Sequence, residues 1–464
     1  MLGEFISDGL KKNPRQGGGI FLKNMADKLK ISFHGACQEV TGSNYLLEYA
    51  GQKILIDCGF FQGSKINDDR NEEPFAYNPA DISALIVTHA HLDHIGRIPK
   101  LVHSGFKGKI FSTGPTKELS ALMLIDSLGV LEKEKKGELI YTEDDVRSAL
   151  ALWQSIEYHK EVTIGPFKII LKDAGHILGS AMAEIEINKK KILFTGDLGN
   201  SPEPLLNDTE KIIGADYMVV ESTYGDRLHE PKEEANIRLE RIIEDTLNKG
   251  GTLMIPAFSL ERSQMIIFKV HELMDNGRIP KVPVFLDSPL SINATKIYSQ
   301  YLKEKGDIFN FPNLKKTLTS EESKKINAVA GPKIIIAGSG MCNGGRILHH
   351  LVRYLPKADS TLLLVSYQTA GSLGRQLSDG AKMVNILGEK VLVAARVEMI
   401  EGFSSHPDRN MLYNFVADSA DKLKKVFATH GELKANLFFV QRLRDSLGLD
   451  AVSPKLGQLF EIEI

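Results

Sequence analysis

The chain has 464 residues, 42% of them hydrophobic and 25% charged, with a formal net charge of −2. That length supports a large core and two domains, and the near-neutral balance excludes nucleic-acid binding by bulk charge, leaving only a local groove. No apolar run reaches the roughly 18 residues of a membrane span, and three scattered cysteines, Cys37, Cys58 and Cys342, form no C-x-x-C pair, so reduced thiols and a cytoplasmic protein without membrane contact are expected.

The opening stretch, "MLGEFISDGLKKNPRQGGGIFLKNM" (1–25), reads as a leader or extension outside the fold. Next, "KISFHGA", "NYLLEYA" and "KILIDCGFFQG" are successive short strands bounded by turn signals. "SALIVTHAHLDHIGRIPKLV" is a buried strand, a loop and a helix start. "FKIILKDAGHILGSAMAEIEI" and "KKILFTGDLGN" follow the same plan, an apolar strand that delivers a polar residue at its end. After Tyr217 the rhythm changes. "GTLMIPAFSLERSQMIIFKVHELM", "VPVFLDSPLSINATKIYSQYL", "PKIIIAGSGMCNGGRILHHLVRYL" and "STLLLVSYQTAGSLGRQL" each read as strand, Ser- or Gly-bearing loop, amphipathic helix. Such units imply a parallel sheet with helices on its faces, whose loops gather at one edge and bind ligands there. From about Val393 strand-like runs return, in "VLVAARVEMIEGFSSHPD" and "KKVFATHGE". No low-complexity linker separates these parts. The reading is therefore one domain built from 26–217 and 396–464, with a second, 218–395, inserted in it.

His89, His91, Asp93 and His94 sit where a buried strand breaks into a loop. Imidazole and carboxylate bind borderline divalent ions, zinc above all. In extended backbone, residues two apart point the same way. His89 and His91 can thus converge on one ion, while Asp93 and His94, as the chain turns toward a helix, face a second. One loop cannot complete two sites. His176 in "DAGHILGSA" and Asp197 in "FTGDLGN" each close an apolar run and are placed to supply further ligands, and the two oxygens of Asp197 suit a bridge. Read singly, each also fits an ordinary polar cap.

With H-x-H-x-D-H after a strand, then a lone histidine, then a strand-ending aspartate, the sequence resembles the metallo-β-lactamase superfamily. The resemblance implies an αββα sandwich with metals at one edge of its two sheets, joined to an inserted Rossmann-like α/β domain. Asp57 in "LIDCG" matches the family's supporting aspartate, which hydrogen-bonds the ligands and fixes their orientation. His91 departs from the diiron redox members, which carry a carboxylate at that position. The long interval after Asp197 departs from the small-molecule hydrolases. Glu221 in "VVESTYGD", His406 in "EGFSSHPD" and His430 in "ATHGE" match the motifs of the β-CASP subgroup, the nucleic-acid-cutting branch. A histidine at the last of these goes with members acting on RNA. The similarity spans about residues 30 to 464 and looks most like the short prokaryotic RNA-specific nucleases. More distantly it is similar to the endonuclease subunit of messenger-RNA 3′-end cleavage. Neither the extra C-terminal domain of ribonuclease J nor the KH domains of archaeal relatives is expected.

What the resemblance implies is a two-metal ribonuclease acting on single-stranded RNA. One ion would take His89, His91, His176 and Asp197, and the other Asp93, His94, His430 and the shared Asp197. Two zinc ions per chain are expected, with manganese the alternative. A hydroxide between them would attack phosphorus in line and leave a 5′-phosphate and a 3′-hydroxyl. His406 would meet the scissile phosphate, and Glu221 would keep that imidazole charged and aimed. Loops of the inserted domain would add RNA contacts at Ser259, Arg262, Ser288, Ser339, Gly340, Thr369, Gly371 and Arg375, by backbone N–H groups at helix starts and by fixed guanidinium charge, Arg346 included. Taken one at a time, Glu221 also fits a solvated strand end, His406 a turn before proline, His430 a strand cap and "GSGMCNGGR" a tight strand-to-helix turn. His349 and His350 fall on a helix and read as surface or packing residues. A small-molecule ester or thiolester hydrolase and a non-catalytic RNA-binding scaffold stay in play as other functions. A homodimer is neither required nor excluded.

Overall fold

The computed structural model describes residues 28–63, 69–134, 139–369 and 371–464. The leader read at 1–25 lies outside the described residues. Two seven-stranded sheets face each other. The first runs Leu459–Ile462, Leu29–Phe33, Tyr45–Tyr49, Gln52–Ile56, Ala84–Ile86, Lys109–Ser112, Trp153–Ser155. The second runs Ala451–Val452, Lys425–Thr429, Tyr217–Glu221, Lys190–Phe194, Ala181–Ile187, Phe167–Asp173, Glu161–Ile164. Apolar residues two apart, such as Leu29, Ile31 and Phe33 or Phe167, Ile169 and Leu171, share a face, and those faces meet in a buried core with Ile54, Ile56, Phe194 and Phe427. Helices Ile98–His103, Gly114–Glu134 and Glu143–Leu152 cover the outside of the first sheet through Leu101, Leu124 and Val146. Arg409–Ala417 and Leu433–Leu447 cover the second through Leu412, Val416, Phe439 and Leu443. The layers are therefore α, β, β, α.

A third sheet has six strands, ordered Leu314–Lys316, Val284–Leu286, Lys333–Ala337, Thr252–Pro256, Thr361–Leu364, Arg396–Met399, and every neighbouring pair is parallel. Strands such as "TLMIP" and "KIIIA" are buried along their whole length, as a sheet covered on both faces demands. The four strand–loop–helix units appear as read, ending in helices Arg262–Asp275, Pro289–Tyr301, Ile347–Tyr354 and Leu373–Ser378.

Two strands lie beside the expected domain crossings. Tyr217–Glu221 pairs with Lys190–Phe194 and Lys425–Thr429 in the second sheet. Arg396–Met399 pairs with Thr361–Leu364 in the third. Tyr217–Glu221 is thus a strand of the sandwich, and Arg396–Met399 is the edge strand of the third sheet. Both strands sit beside a domain crossing, and periodicity alone does not say which sheet a crossing strand joins.

This topology positions the site. Gln52–Ile56, Ala84–Ile86 and Lys109–Ser112 are mutually parallel, and so are Lys190–Phe194, Tyr217–Glu221 and Lys425–Thr429. Their C-terminal ends gather at one edge of the sandwich. The inserted domain is joined to that edge. Tyr298 donates its hydroxyl hydrogen to Glu261 Oε2 (2.9 Å) and accepts from the backbone N–H of Leu178 (3.3 Å).

Candidate metal centre

Each chemical group arrives on a strand end. Asp57 follows Gln52–Ile56, and His89 and His91 follow Ala84–Ile86. His91 stands just before the helical turn Leu92–Ile95, which carries Asp93 and His94. His176 follows Phe167–Asp173, Asp197 follows Lys190–Phe194, and His430 follows Lys425–Thr429. Gly59 lets two of these loops touch, since a Cβ there would fall 1.5 Å from the carbonyl oxygen of Asp93.

The ligand atoms of His89, His91, His176 and Asp197 all lie within 4.8 Å of one another, as do those of Asp93, His94 and His430. Asp197 joins the two sets. Its Oδ2 is 3.3 Å from His89 Nε2 and 3.6 Å from His176 Nε2, and its Oδ1 is 3.3 Å from His94 Nε2 and 3.4 Å from His430 Nε2. The rings are aimed by their far nitrogens. His94 Nδ1 meets Asp57 Oδ2 at 2.7 Å, His89 Nδ1 meets Thr88 Oγ1 at 3.1 Å, and His176 Nδ1 lies 3.2 Å from the carbonyl of Leu198. With the proton on Nδ1, each of these three rings turns an Nε2 lone pair inward. Asp57 is itself fixed by Thr88, whose N–H and hydroxyl both donate to it at 2.8 Å. Asp57 (φ 57°) and His430 (φ 45°) hold left-handed backbone that side-chain-bearing residues rarely adopt. Such strain persists where surrounding contacts over-determine it, commonly at functional sites.

The donor set fits divalent cations. Asp197 Oδ1 is buried and has no hydrogen-bond partner, a costly state that a cation relieves. Burial pushes His89 and His176 well below the usual imidazole range and His91 to about 4, so these rings stay neutral and offer lone pairs. Burial would do the same to His94, but the Asp197 and Asp57 carboxylates override it and raise its basicity well above the ordinary value. Burial also opposes charge on Asp197, yet the imidazoles of His430, His94 and His89 hold its carboxyl well below the usual range.

Beside the cluster, His406 Nδ1 donates to Glu221, 3.2 Å from Oε1 and 3.1 Å from Oε2. Glu221 is anchored in turn by the Leu198 N–H at 2.7 Å. Burial lowers the basicity of His406, but the Glu221 carboxylate, helped by those of Asp197 and Asp93, more than reverses this and brings its pKa to about 9. His229 Nε2 donates to the His406 carbonyl at 2.9 Å and stacks edge-on against Tyr224. Above these groups opens a cavity of about 420 Å³, with His91, Asp93, His176, Asp197, His406 and His430 on its floor.

Comparison with known proteins decides the family. A metallo-beta-lactamase superfamily model matches residues 38–245, a Beta-Casp domain model matches 263–377, and a model of the Zn-dependent metallo-hydrolase RNA specificity domain matches 390–454. The chain is 35% identical over 416 residues to Ribonuclease TTHA0252 of Thermus thermophilus, covering 87% of this chain and 93% of that protein. This chain belongs to the metallo-β-lactamase superfamily, in its β-CASP branch. It is also 33% identical to an RNase J-like protein of Methanocaldococcus jannaschii, over 93% of this chain and 99% of that one. With transcription termination factor FttA of Methanosarcina mazei it shares 33% identity, over 88% of this chain and 67% of that one. A crystal structure of a protein of unknown function from Enterococcus faecalis aligns with a TM-score of 0.59 at 13% identity, over 94% of this chain and all of that one, a likeness of fold alone.

Within this β-CASP architecture the residues expected to meet RNA are dispersed. Arg262 and Thr369 line the cavity. The hydroxyl of Ser288 caps helix Pro289–Tyr301 by accepting the Ser291 N–H, and Ser339 Oγ accepts from the N–H groups of Asn343 and Gly344. Arg375 pairs with Asp379 at 2.9 Å. Ser259, Gly340 and Gly371 are not among the cavity-lining residues. Arg346 is committed to the buried carboxylate of Asp287 (2.8 Å), which also receives His350 Nε2 at 2.7 Å. His350 is thus a packing residue, and His349 is exposed. Sequence reasoning missed Ser43, 3.3 Å from His94 Nε2, as well as Thr88, Tyr224 and His229. A lone Ser or Thr in a turn carries no signal, and His229 stands in a charged loop that reads as surface.

Proposed function

We infer that this chain is a metal-dependent ribonuclease that hydrolyses phosphodiester bonds of single-stranded RNA. One observation carries the reading. Six candidate ligand side chains gather in two sets around Asp197, whose buried Oδ1 has no hydrogen-bond partner, at the floor of a cavity partly walled by the inserted domain. The RNA substrate is supported by the relatives named as a ribonuclease and as an RNase J-like protein.

His89, His91, His176 and Asp197 would hold one zinc ion, and Asp93, His94, His430 and the second Asp197 oxygen another, with manganese as the other metal this donor set accepts. When bound, such ions supply Lewis acidity that lowers the pKa of water and neutralises phosphate charge. The protein's own groups do the rest. Asp57 and Thr88 keep the rings in their ligating tautomers. His406, protonated at neutral pH, presents a charged N–H toward the floor and there stabilises a phosphate oxygen or protonates the leaving ribose oxygen. That charge also distinguishes it from His89, His91 and His176, whose neutral rings keep a lone pair to give. Glu221 holds the ring from behind. The family resemblance implies a 5′-phosphate and a 3′-hydroxyl as products, a cleavage that needs no ribose 2′-hydroxyl as nucleophile.

The test is a 5′-labelled single-stranded RNA incubated with purified protein, with and without chelator, beside Asp197→Asn. Cleavage that stops with chelator and in the variant is expected. Chelator-resistant cutting, or ester hydrolysis with no RNA cleavage at all, would overturn the assignment.

A further inference from the structure

Phe258 and Tyr367 are large aromatic side chains left 39% and 37% exposed, and both line the cavity whose floor carries the ligand cluster. Their placement follows from the third sheet. Thr252–Pro256 and Thr361–Leu364 are adjacent parallel strands, paired Leu253 with Thr361 and Met254 with Leu362. Phe258 and Tyr367 follow the C-terminal ends of these neighbours, the edge where ligands bind in open parallel sheets. Gly340 touches the first ring directly and the second loop through Gln368. A Cβ at Gly340 would lie 3.1 Å from two carbons of the Phe258 ring, tighter than an ordinary contact. Gln368, next to Tyr367, donates to the Gly340 carbonyl at 3.1 Å and to the Ser366 carbonyl at 2.9 Å. The Phe258 carbonyl in turn accepts the Ser263 N–H at 3.2 Å.

Nothing in the catalytic cluster requires this wall to be aromatic. It is also poor in free cations. Arg227 is paired with Asp226 at 2.8 Å, and Arg262 is 7% exposed. With a chain charge of −2, affinity for a polyanion must come partly from something other than charge. We propose that Phe258 and Tyr367 form a stacking platform that takes an unpaired nucleobase flanking the phosphate at the metal floor. This rests on the ribonuclease reading and adds the source of its preference for single strands. A base within a duplex has both faces covered by its neighbours, whereas an unpaired base offers a face to an aromatic ring whatever its identity. The platform therefore selects strandedness and not sequence.

The test uses a short oligouridine and an abasic ribose-phosphate chain of the same length. Cleavage is read as kcat and KM, and binding as the anisotropy of a labelled, cleavage-resistant phosphorothioate oligouridine. Phe258→Ala and Tyr367→Ala should each weaken binding and raise KM for oligouridine about 5- to 150-fold, the equivalent of the roughly 1–3 kcal/mol that a base–aromatic contact contributes. Phe258→Tyr and Tyr367→Phe should restore it. On the abasic chain, wild type should fall toward the variants, and the variants should lose nothing further. Equal losses on both substrates would mean that the rings only shape the wall, and an unchanged KM would mean that bases do not reach them. Either result overturns the platform. Binding through the rings without cleavage would keep the platform and refute the ribonuclease reading. Cleavage with unchanged KM would do the reverse.

Discussion

His406 lies within 4.8 Å of Asp197 and His430 by their ligand atoms, close enough to be mistaken for another ligand. Its bond to Glu221 and its pKa of about 9 give it a different task. His406→Ala should keep the metal content of the wild type and lose turnover by about 10²- to 10⁴-fold, the usual contribution of a positioned acid. Glu221→Gln should lose less, because the amide still accepts a hydrogen bond but no longer favours the charged ring. Metal analysis beside kcat checks both, and full turnover in His406→Ala would remove the role. The seven candidate ligands stand out in the sequence because histidine and aspartate are costly to bury unless they bind or pair, and here they recur at the ends of apolar strands. Phe258 and Tyr367 were not legible as binding residues. An aromatic just past a buried strand reads as core, and only three-dimensional structure shows which ring the core leaves uncovered.

Helix Arg262–Asp275 begins at an unusual place. Glu261, just before it, has left-handed backbone (φ 63°) and a buried carboxyl. Burial pushes that carboxyl up to about 8, against the opposing hydrogen bond from Tyr298, with Glu203 raising it further and Arg262 lowering it. The folded value is above the ordinary one near 4.5, so this group favours folding below about pH 4.5. That contribution is lost as pH rises through about 8, at up to roughly 1.4 kcal/mol per pH unit across the window. Glu261→Gln keeps an acceptor for Tyr298 and cannot ionise. Denaturant midpoints from pH 5 to 9 should therefore fall less steeply in Glu261→Gln than in wild type, and parallel curves would contradict the buried-acid account. Other elements differed in how openly the sequence announced them. The four strand–loop–helix units showed a helix period after a strand. Gly114–Glu134 showed no single apolar stripe, because it is buried on two sides. Leu124 and Leu128 face the core under the first sheet, while Leu119 packs toward the inserted domain.

The candidate ligands run from His89 to His430 and come from both sheets of the sandwich, so the cluster exists only when that whole domain is folded. Only His89, His91, Asp93 and His94 are neighbours in sequence, so the complete sets form only in the folded chain and metal binding is linked to folding. At a free ion concentration about a thousand times the dissociation constant, one site stabilises the folded state by about 4 kcal/mol. For a domain of this size that corresponds to a thermal midpoint shift of about 8–16 °C. Chelation should lower the midpoint by this order, and restoring the ion should recover it. Asp197→Asn should flatten the response, since the two Asp197 oxygens meet one candidate ligand set each. Among the described residues no candidate ligand comes from the inserted domain, yet Tyr298 ties it to the His176 loop through Leu178. If that tie couples the domains, calorimetry should show both transitions moving together on chelation. Tyr298→Phe, which leaves the Leu178 N–H without its partner, should let them separate. A midpoint indifferent to chelator, in protein whose metal content is measured and then seen to be removed, would mean that the cluster is held by packing alone and that the ion is not part of what folds this domain.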